Sequence, residues 1–187
     1  TYEETNMIYN IVAPPSSGKL FFIPNSNKSI EHYVNSVDLD MIFLSGGDNA
    51  FFDDSRSETE QYLIKFSRVK NIPLVGVCRG MHAIHLFFDG RVVKGDEKFC
   101  QEHRASKHFV KIDSKDVLVN SFHNYQIMES TISRELSIIA RCTSDDTVEA
   151  FEAQNMLGIM WHPERDVEYC PFTARIIKNH IWRTRNE

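Results

Sequence analysis

Cys78 sits in Gly76-Val77-Cys78-Arg79-Gly80, and Trp161-His162-Pro163-Glu164 lies far downstream. A thiol, an imidazole and a carboxylate suffice for covalent chemistry on an acyl group: the thiol attacks, the imidazole moves the proton, and the carboxylate orients the imidazole. These spacings predict an enzyme with Cys78, His162 and Glu164 as its catalytic residues. Pro163 biases His162 to extended backbone. Residues two apart in extended chain project the same way, so His162 and Glu164 can face each other.

The elements around them must present the sulfur. The apolar run Ile72-Pro73-Leu74-Val75-Gly76-Val77 predicts a buried strand. Arg79 to Phe88 predicts a helix closed by Asp89-Gly90. Cys78 therefore falls on a strand-to-helix turn, with Gly76 and Gly80 relieving the crowding, as in a nucleophile elbow. A helix N-terminus favours an anion, which predicts a lowered thiol pKa. Further strands are expected at 20–23, 41–44, 91–93, 109–112, 117–119, 136–141, 148–152 and 157–161. Further helices are expected at 30–37, 58–70 and 172–183. In the second of these, Tyr62, Phe66 and Val69 are predicted to share the buried face. The alternation in the first half predicts an α/β fold with a mostly parallel sheet and helices on both faces; the strand-rich second half predicts a small antiparallel portion. Ligands of such sheets sit at the carboxyl ends of the strands, where Cys78 and His162 fall.

The chain of 187 residues suits one domain, residues 1–187. Lys and Arg number 21 against 26 Asp and Glu, and the two signs are mixed along the chain. No basic cluster points to nucleic acid, and no apolar stretch could span a membrane. Cys78, Cys100, Cys142 and Cys170 are scattered, which fits the reduced thiols of a cytoplasmic enzyme. His82 and His85 lie one helical turn apart without an evident third ligand. Cys100, His103 and His108 fit no strong zinc spacing and predict a solvated loop, so no metal site is expected. Gly46-Gly47 follows a predicted strand, and glycines let backbone N–H groups approach a ligand closely. Asp48 reads as a turn residue, Phe51-Phe52-Asp53-Asp54 as a segment beside the pocket, and Arg183–Arg185 as complements to a helix dipole.

These motifs, in this order, resemble the class I glutamine amidotransferase superfamily, a flavodoxin-like fold. The nearest branch looks like the γ-glutamyl hydrolase-like proteins, the group that includes γ-glutamyl-γ-aminobutyrate hydrolases. Leu44-Ser45-Gly46-Gly47-Asp48 is similar to the oxyanion loop. His103 and His108-Phe109-Val110 resemble an H…HxV pattern, Val119-Asn120-Ser121-Phe122-His123 a VNSxH segment, and Gly158 to Glu164 a GxxWHPE end. The resemblance implies that the N–H groups of Gly47 and Arg79 form the oxyanion hole. It also implies that Gly46, His82, His123, Asn124 and Tyr125 line the substrate site. Family members usually carry Gln where this chain has His82, which implies an altered grip on the substrate. The family's first strand and Tyr-x-Glu helix are matched here only from Tyr2-Glu3-Glu4, after Thr1, so that strand is expected to be missing from the sequence.

The implied reaction is hydrolysis of a γ-glutamyl amide-type bond in a small metabolite, through a γ-glutamyl thioester and with no cofactor. The metabolite is a γ-glutamyl amine or γ-glutamyl-CDP-amidate, the latter handled by relatives found with surface (capsule) polysaccharide pathways. The alternatives are a glutaminase subunit feeding ammonia to a separate synthetase, and a non-catalytic γ-glutamyl-binding domain. The implied partner is the small-molecule substrate, with a homodimer or a synthetase as further options.

Overall fold

A computed structural model describes residues 10–12, 21–25, 30–47, 55–166 and 170–186. In chain order the elements are β1 (Asn10–Val12), β2 (Phe21–Ile23), α1 (Ile30–Asn35), β3 (Ile42–Leu44), α2 (Ser55–Lys70), β4 (Leu74–Val77), α3 (Arg79–Phe87) and β5 (Val93–Lys94). They continue with α4 (Glu97–His103), β6 (Arg104–Ile112), β7 (Lys115–Phe122), β8 (Tyr125–Gln126), β9 (Ser137–Cys142), β10 (Val148–Ala153), β11 (Met156–Ile159) and α5 (Pro171–Asn186). The predicted segments at Tyr2-Glu3-Glu4, Asp48 and 51–54 lie outside the described residues.

Nine strands form one sheet in the order β2-β1-β3-β4-β11-β10-β9-β6-β7, and β5 pairs with β8 in a separate antiparallel ribbon. The fold is α/β with a mixed sheet. The expectation of a mostly parallel sheet is corrected: only β3–β4 and β4–β11 are parallel, and the other pairings of the large sheet are antiparallel. The cause is connection length. A parallel pair needs a crossover, which α2 supplies between β3 and β4, whereas tight turns force antiparallel pairing. Asp113 and Ser114, with φ of 47° and 63°, make such a turn between β6 and β7, and Gln154, with φ of 44°, helps make another between β10 and β11.

The three parallel strands are the centre of the core. Every residue of β4 and of β11 is buried, so both faces of these strands are covered. Helix α3 contacts β3, β4 and β11, and α5 contacts β11. Trp161, at the end of β11, is fully buried and donates its indole N–H to Thr173 of α5 at 3.0 Å. At the opposite end of these strands Asn155 is a buried clasp. Its amide donates to Ser67 O, Ser67 Oγ and Ile72 O at 2.8, 2.8 and 2.6 Å, and its backbone carbonyl accepts from His180 Nε2 at 3.1 Å.

Helix α2 also differs from its predicted face. Its buried residues are Arg56, Thr59, Glu60, Leu63, Ile64 and Ser67, while Val69 is exposed. Hydrophobic periodicity missed this face because much of it is polar and faces the site and the Asn155 clasp. Replacing Asn155→Ala removes these hydrogen bonds, while Ser67 O keeps the Ile72 N–H and Ile72 O keeps the Ser67 hydroxyl as donors, and should cost about 0.5–1.5 kcal/mol, read as a lower denaturant midpoint.

Candidate active site

The carboxyl ends of the three parallel strands bring the predicted residues together. Leu44, Gly76 and Gly158 are in register across β3, β4 and β11, so Gly46-Gly47, Cys78 and His162 all emerge at one edge. Cys78 occupies the junction of β4 and α3 with φ 50° and ψ −102°, a conformation that L-residues rarely adopt. Such backbone costs on the order of 1–3 kcal/mol and persists only where its surroundings hold it. Its N–H donates to Ile159 O at 2.8 Å, which ties the turn to β11. A Cβ on Gly80 would overlap the Leu44 carbonyl oxygen, and one on Gly76 would lie 2.5 Å from the Gly80 oxygen. The helix can therefore start this close to β3 and β4 only with glycine at both places.

The sulfur differs from expectation. Burial pushes the Cys78 thiol up to about 11, and the backbone N–H groups of Arg79 and Gly47, with the charge of Arg165, only partly offset this. The expected lowering by the helix N-terminus is thus corrected, because desolvation of a buried thiolate outweighs two amide dipoles. At neutral pH the resting group is a thiol, and a base must remove its proton. The two amides that act on the sulfur belong to Gly47 and Arg79.

His162 is buried, and its Nδ1 lies 2.5 Å from Glu164 Oε1 in a hydrogen bond. Its Nε2 is buried with no hydrogen-bond partner among the described residues. Gly46 lies so close to the His162 ring that an added Cβ would overlap Cε1. Gly46 thus abuts the imidazole while the next residue, Gly47, directs its N–H to the sulfur. One dipeptide spans the gap between thiol and imidazole. The backbone of His162 is held at both ends by Asn120: His162 N donates to Oδ1 at 2.8 Å, and Nδ2 donates to His162 O at 2.7 Å.

A buried ion network links the two amide donors. Glu60 Oε1 accepts from Arg56 Nε at 2.7 Å and from Arg79 Nε at 3.1 Å. Arg56 Nη2 donates onward to the Ser45 and Gly46 carbonyls at 2.8 and 3.1 Å. The carboxylate of α2 thereby fixes the loop of Gly47 relative to the elbow of Arg79. Arg56, Glu60 and Asn120 were not singled out from the sequence. The signal for Glu60 was a charged residue on what proves to be the buried side of α2, legible only once that side is known.

The other predicted residues divide. His82 is buried in the first turn of α3, and its N–H donates to Cys78 O at 3.0 Å. Burial, with His123, His85 and Arg79 nearby, lowers its pKa to about 3, so the ring is neutral. His123, Asn124 and Tyr125 lean toward the β5–β8 ribbon. Asn124 O accepts from Gly95 N at 2.9 Å, and Tyr125 pairs with Lys94. His123 Nδ1 contacts Tyr125 O at 2.8 Å, and its Nε2 faces His103 and Glu149 at 3.3 and 3.5 Å. Both nitrogens are thus engaged inside the protein.

The stretch from Cys100 to His108 is not a solvated loop. His103 ends α4 fully buried, His108 lies in β6, and both converge with His123 on the buried Glu149 of β10. His103, His123 and Glu149 bring ligand atoms within 4.8 Å of one another, as do His103, His108 and Cys142, so these are the residues of this region that could hold a metal. Beside His162 opens a cleft of about 700 Å³ lined by residues that include Lys107, Asn120, Phe122, Arg165 and Asp166. Phe122 meets the His162 ring edge to face at 5.8 Å, and the Arg165 guanidinium lies 4.4 Å from the Phe122 centroid.

The model of the family described as glutamine amidotransferase class-I matches residues 16–183. The chain belongs to that family. It is 32% identical over 134 residues to the γ-glutamyl-CDP-amidate hydrolase of Campylobacter jejuni, covering 67% of this chain and 62% of that protein. It is also 32% identical over 125 residues to the carbamoyl phosphate synthase small chain of Thermoplasma volcanium, covering 67% of this chain and 34% of that one. In both cases the match spans less than two thirds of the relative's length. The crystal structure of a glutamine amidotransferase from Thermotoga maritima superposes with a TM-score of 0.58 at 17% identity, over 79% of this chain and 66% of that one. The crystal structure of a candidate GMP synthase component from Thermoplasma acidophilum gives 0.65 at 23% identity, over 88% and 80%. No helix among the described residues is long and apolar enough to cross a membrane.

Two outcomes are expected from this geometry. Glu60→Ala leaves two buried arginines without their carboxylate and should cost about 3–5 kcal/mol of stability by denaturant titration. His82 gives an acid signature. The unfolded chain protonates it near pH 6.5, whereas the folded chain holds it neutral down to about pH 3. Protonation therefore favours unfolding as pH falls through that window. The melting temperature of His82→Gln should decline less steeply than that of the parent between about pH 6.5 and 4.5.

Proposed function

We propose that this chain is a cysteine-dependent hydrolase that cleaves a γ-glutamyl amide-type bond of a small metabolite through a γ-glutamyl thioester. One observation carries the reading: the two amides acting on the Cys78 sulfur sit beside a buried His162 whose Nε2 has no other partner among the described residues. Cys78 attacks the side-chain carbonyl of the glutamyl group while His162 Nε2 takes the thiol proton. The N–H groups of Gly47 and Arg79 stabilise the oxyanion, a contribution worth about a hundredfold or more in rate per donor. Collapse of the tetrahedral adduct expels the leaving nitrogen, which takes the proton from His162. Water, deprotonated by His162, then cleaves the thioester and releases glutamate. Glu164 holds the ring through Nδ1 during both steps.

The leaving group is read as anionic, with γ-glutamyl-CDP-amidate ahead of a γ-glutamyl amine. The resemblance to the Campylobacter hydrolase supports this, and so does the cleft beside His162, where Lys107 and Arg165 supply two cations. Its volume of about 700 Å³ suits a ligand of nucleotide size. The second reading is a glutaminase serving a separate synthetase, favoured by the resemblance to a carbamoyl phosphate synthase small chain.

The test is glutamate release from glutamine, γ-glutamyl amines and γ-glutamyl-CDP-amidate, with Cys78→Ala as the control. Fast turnover of the amidate that Cys78→Ala abolishes, with little turnover of glutamine, is the expected result. Turnover of glutamine alone, or only with a synthetase present, would move the chain to the second reading. No glutamate from any of the three would reject catalysis on these substrates.

A further inference from the structure

We propose that His103, His123 and Glu149, with His108 beside them, form a structural site for a divalent transition-metal ion of the zinc class. The four come from separate parts of the chain: His103 ends α4, His108 is in β6, His123 follows β7 and Glu149 is in β10. Their side chains are at most 9% exposed.

The spacing of His103, His123 and Glu149 fits one ion, their ligand atoms lying within 4.8 Å of one another, and His108 flanks them at the second Glu149 oxygen. Bonds of about 2.0–2.1 Å to a tetrahedral zinc put its ligand atoms about 3.3 Å apart. His103 Nδ1 lies 3.3 Å from His123 Nε2. Glu149 Oε1 lies 3.5 Å from His123 Nε2 and 3.9 Å from His103 Nδ1, and Oε2 lies 3.4 Å from His108 Nε2. The Glu149 oxygens have no aligned hydrogen-bond donor among the described residues beyond the facing His108 and His123 rings.

The outer contacts set which nitrogens face inward. His103 Nε2 lies 2.7 Å from Asp145 Oδ2, so in the neutral ring it donates there and leaves the Nδ1 lone pair facing the centre. His123 Nδ1 donates to Tyr125 O at 2.8 Å, which leaves its Nε2 lone pair facing the same centre. A carboxylate partner on one histidine and a backbone carbonyl on the other are the usual outer supports of metal-bound imidazoles. Two lone pairs 3.3 Å apart beside a carboxylate repel one another unless a cation sits among them. Ser121 does not supply the missing donor, because its hydroxyl donates to His103 O at 2.7 Å. The competing cation is a proton shared among the rings, and burial resisted by the Glu149 charge leaves the His123 pKa raised. Only an ion, and not a shared proton, would give a ligand-field spectrum and a Zn²⁺-dependent melting shift. Cys142 Sγ also lies within 4.8 Å of ligand nitrogens on His103 and His108, which suits a borderline-soft ion over magnesium or calcium. A cleft of about 380 Å³ lined partly by Phe99, Glu102 and Asp145 gives a route to the outer side of His103.

The inference does not rest on the catalytic reading, and its test needs no substrate. Protein stripped with dipicolinate is titrated with Co²⁺ and read by visible absorption, with Zn²⁺ affinity measured by competition against a chromophoric chelator. One ion per chain with the intense bands of tetrahedral cobalt, and a higher melting temperature with Zn²⁺, are expected. Cys78→Ala should leave the spectrum unchanged, and His103→Gln should weaken Zn²⁺ binding at least tenfold. Because a variant can misfold, each is first compared with the parent by circular dichroism, and the wild-type melting shift stands independently of them. Folded wild-type protein that neither develops tetrahedral bands nor melts higher with Zn²⁺ would overturn the site in favour of a shared proton. Loss of the bands in Cys78→Ala would overturn it in favour of binding at the thiol.

Discussion

The backbone of Cys78 is the constraint on which the rest depends. A non-glycine residue at φ 50° and ψ −102° is held there by a hydrogen bond to β11 and by contacts that admit no side chain at Gly76 or Gly80. Those contacts require β3, β4 and β11 to run parallel and in register, with α3 pressed against them. The parallel part of the sheet is therefore small, and it is the part that carries the site. The antiparallel strands extend the sheet and bring in Asn120, which fixes His162 from the β7 side.

Burial has two opposed effects at this centre. It raises the thiol pKa, so the resting group is protonated and unreactive. It also excludes water from the Gly47 and Arg79 amides, where fixed dipoles act most strongly on developing charge. The proposed mechanism reconciles the two, since charge would appear only when the thiol proton moves to the buried His162, within reach of groups already oriented. The Arg56–Glu60–Arg79 network explains how two amides from different loops keep their aim, since a single carboxylate touches both arginines.

Much of this was legible in the sequence where short-range pattern and local geometry coincide. The run Leu74–Val77 is apolar throughout and is a strand buried on both faces, and the helix begins at Arg79 as the motif requires. Sheet direction was less legible, because it depends on turns such as Asp113-Ser114 and not on strand composition. Strand β6 was longer than predicted because its added residues are mostly polar and exposed, β7 because its added end carries the buried polar pair Asn120 and Ser121, and α4 was missed because its short run shows little hydrophobic period. Glu149 could not be found from spacing: its partners His103, His108 and His123 lie on other elements, and only the sheet order brings them together.

His82 connects the two centres and shows what a substitution at a familiar position can mean. It stands where relatives of this kind usually carry glutamine, and a histidine there first suggests an added positive charge. The surroundings forbid that charge. Burial dominates, and His123, His85 and Arg79 oppose protonation more than the attraction of Glu149 can offset. A neutral imidazole offers one donor and one acceptor, as a carboxamide offers both kinds of group. The replacement therefore preserves hydrogen-bonding character while adding an aromatic ring and removing reach. On the proposed function, any effect of His82 on substrate choice would come from shape and the direction of its hydrogen bonds, and the cations Lys107 and Arg165 of the neighbouring cleft would meet an anionic leaving group.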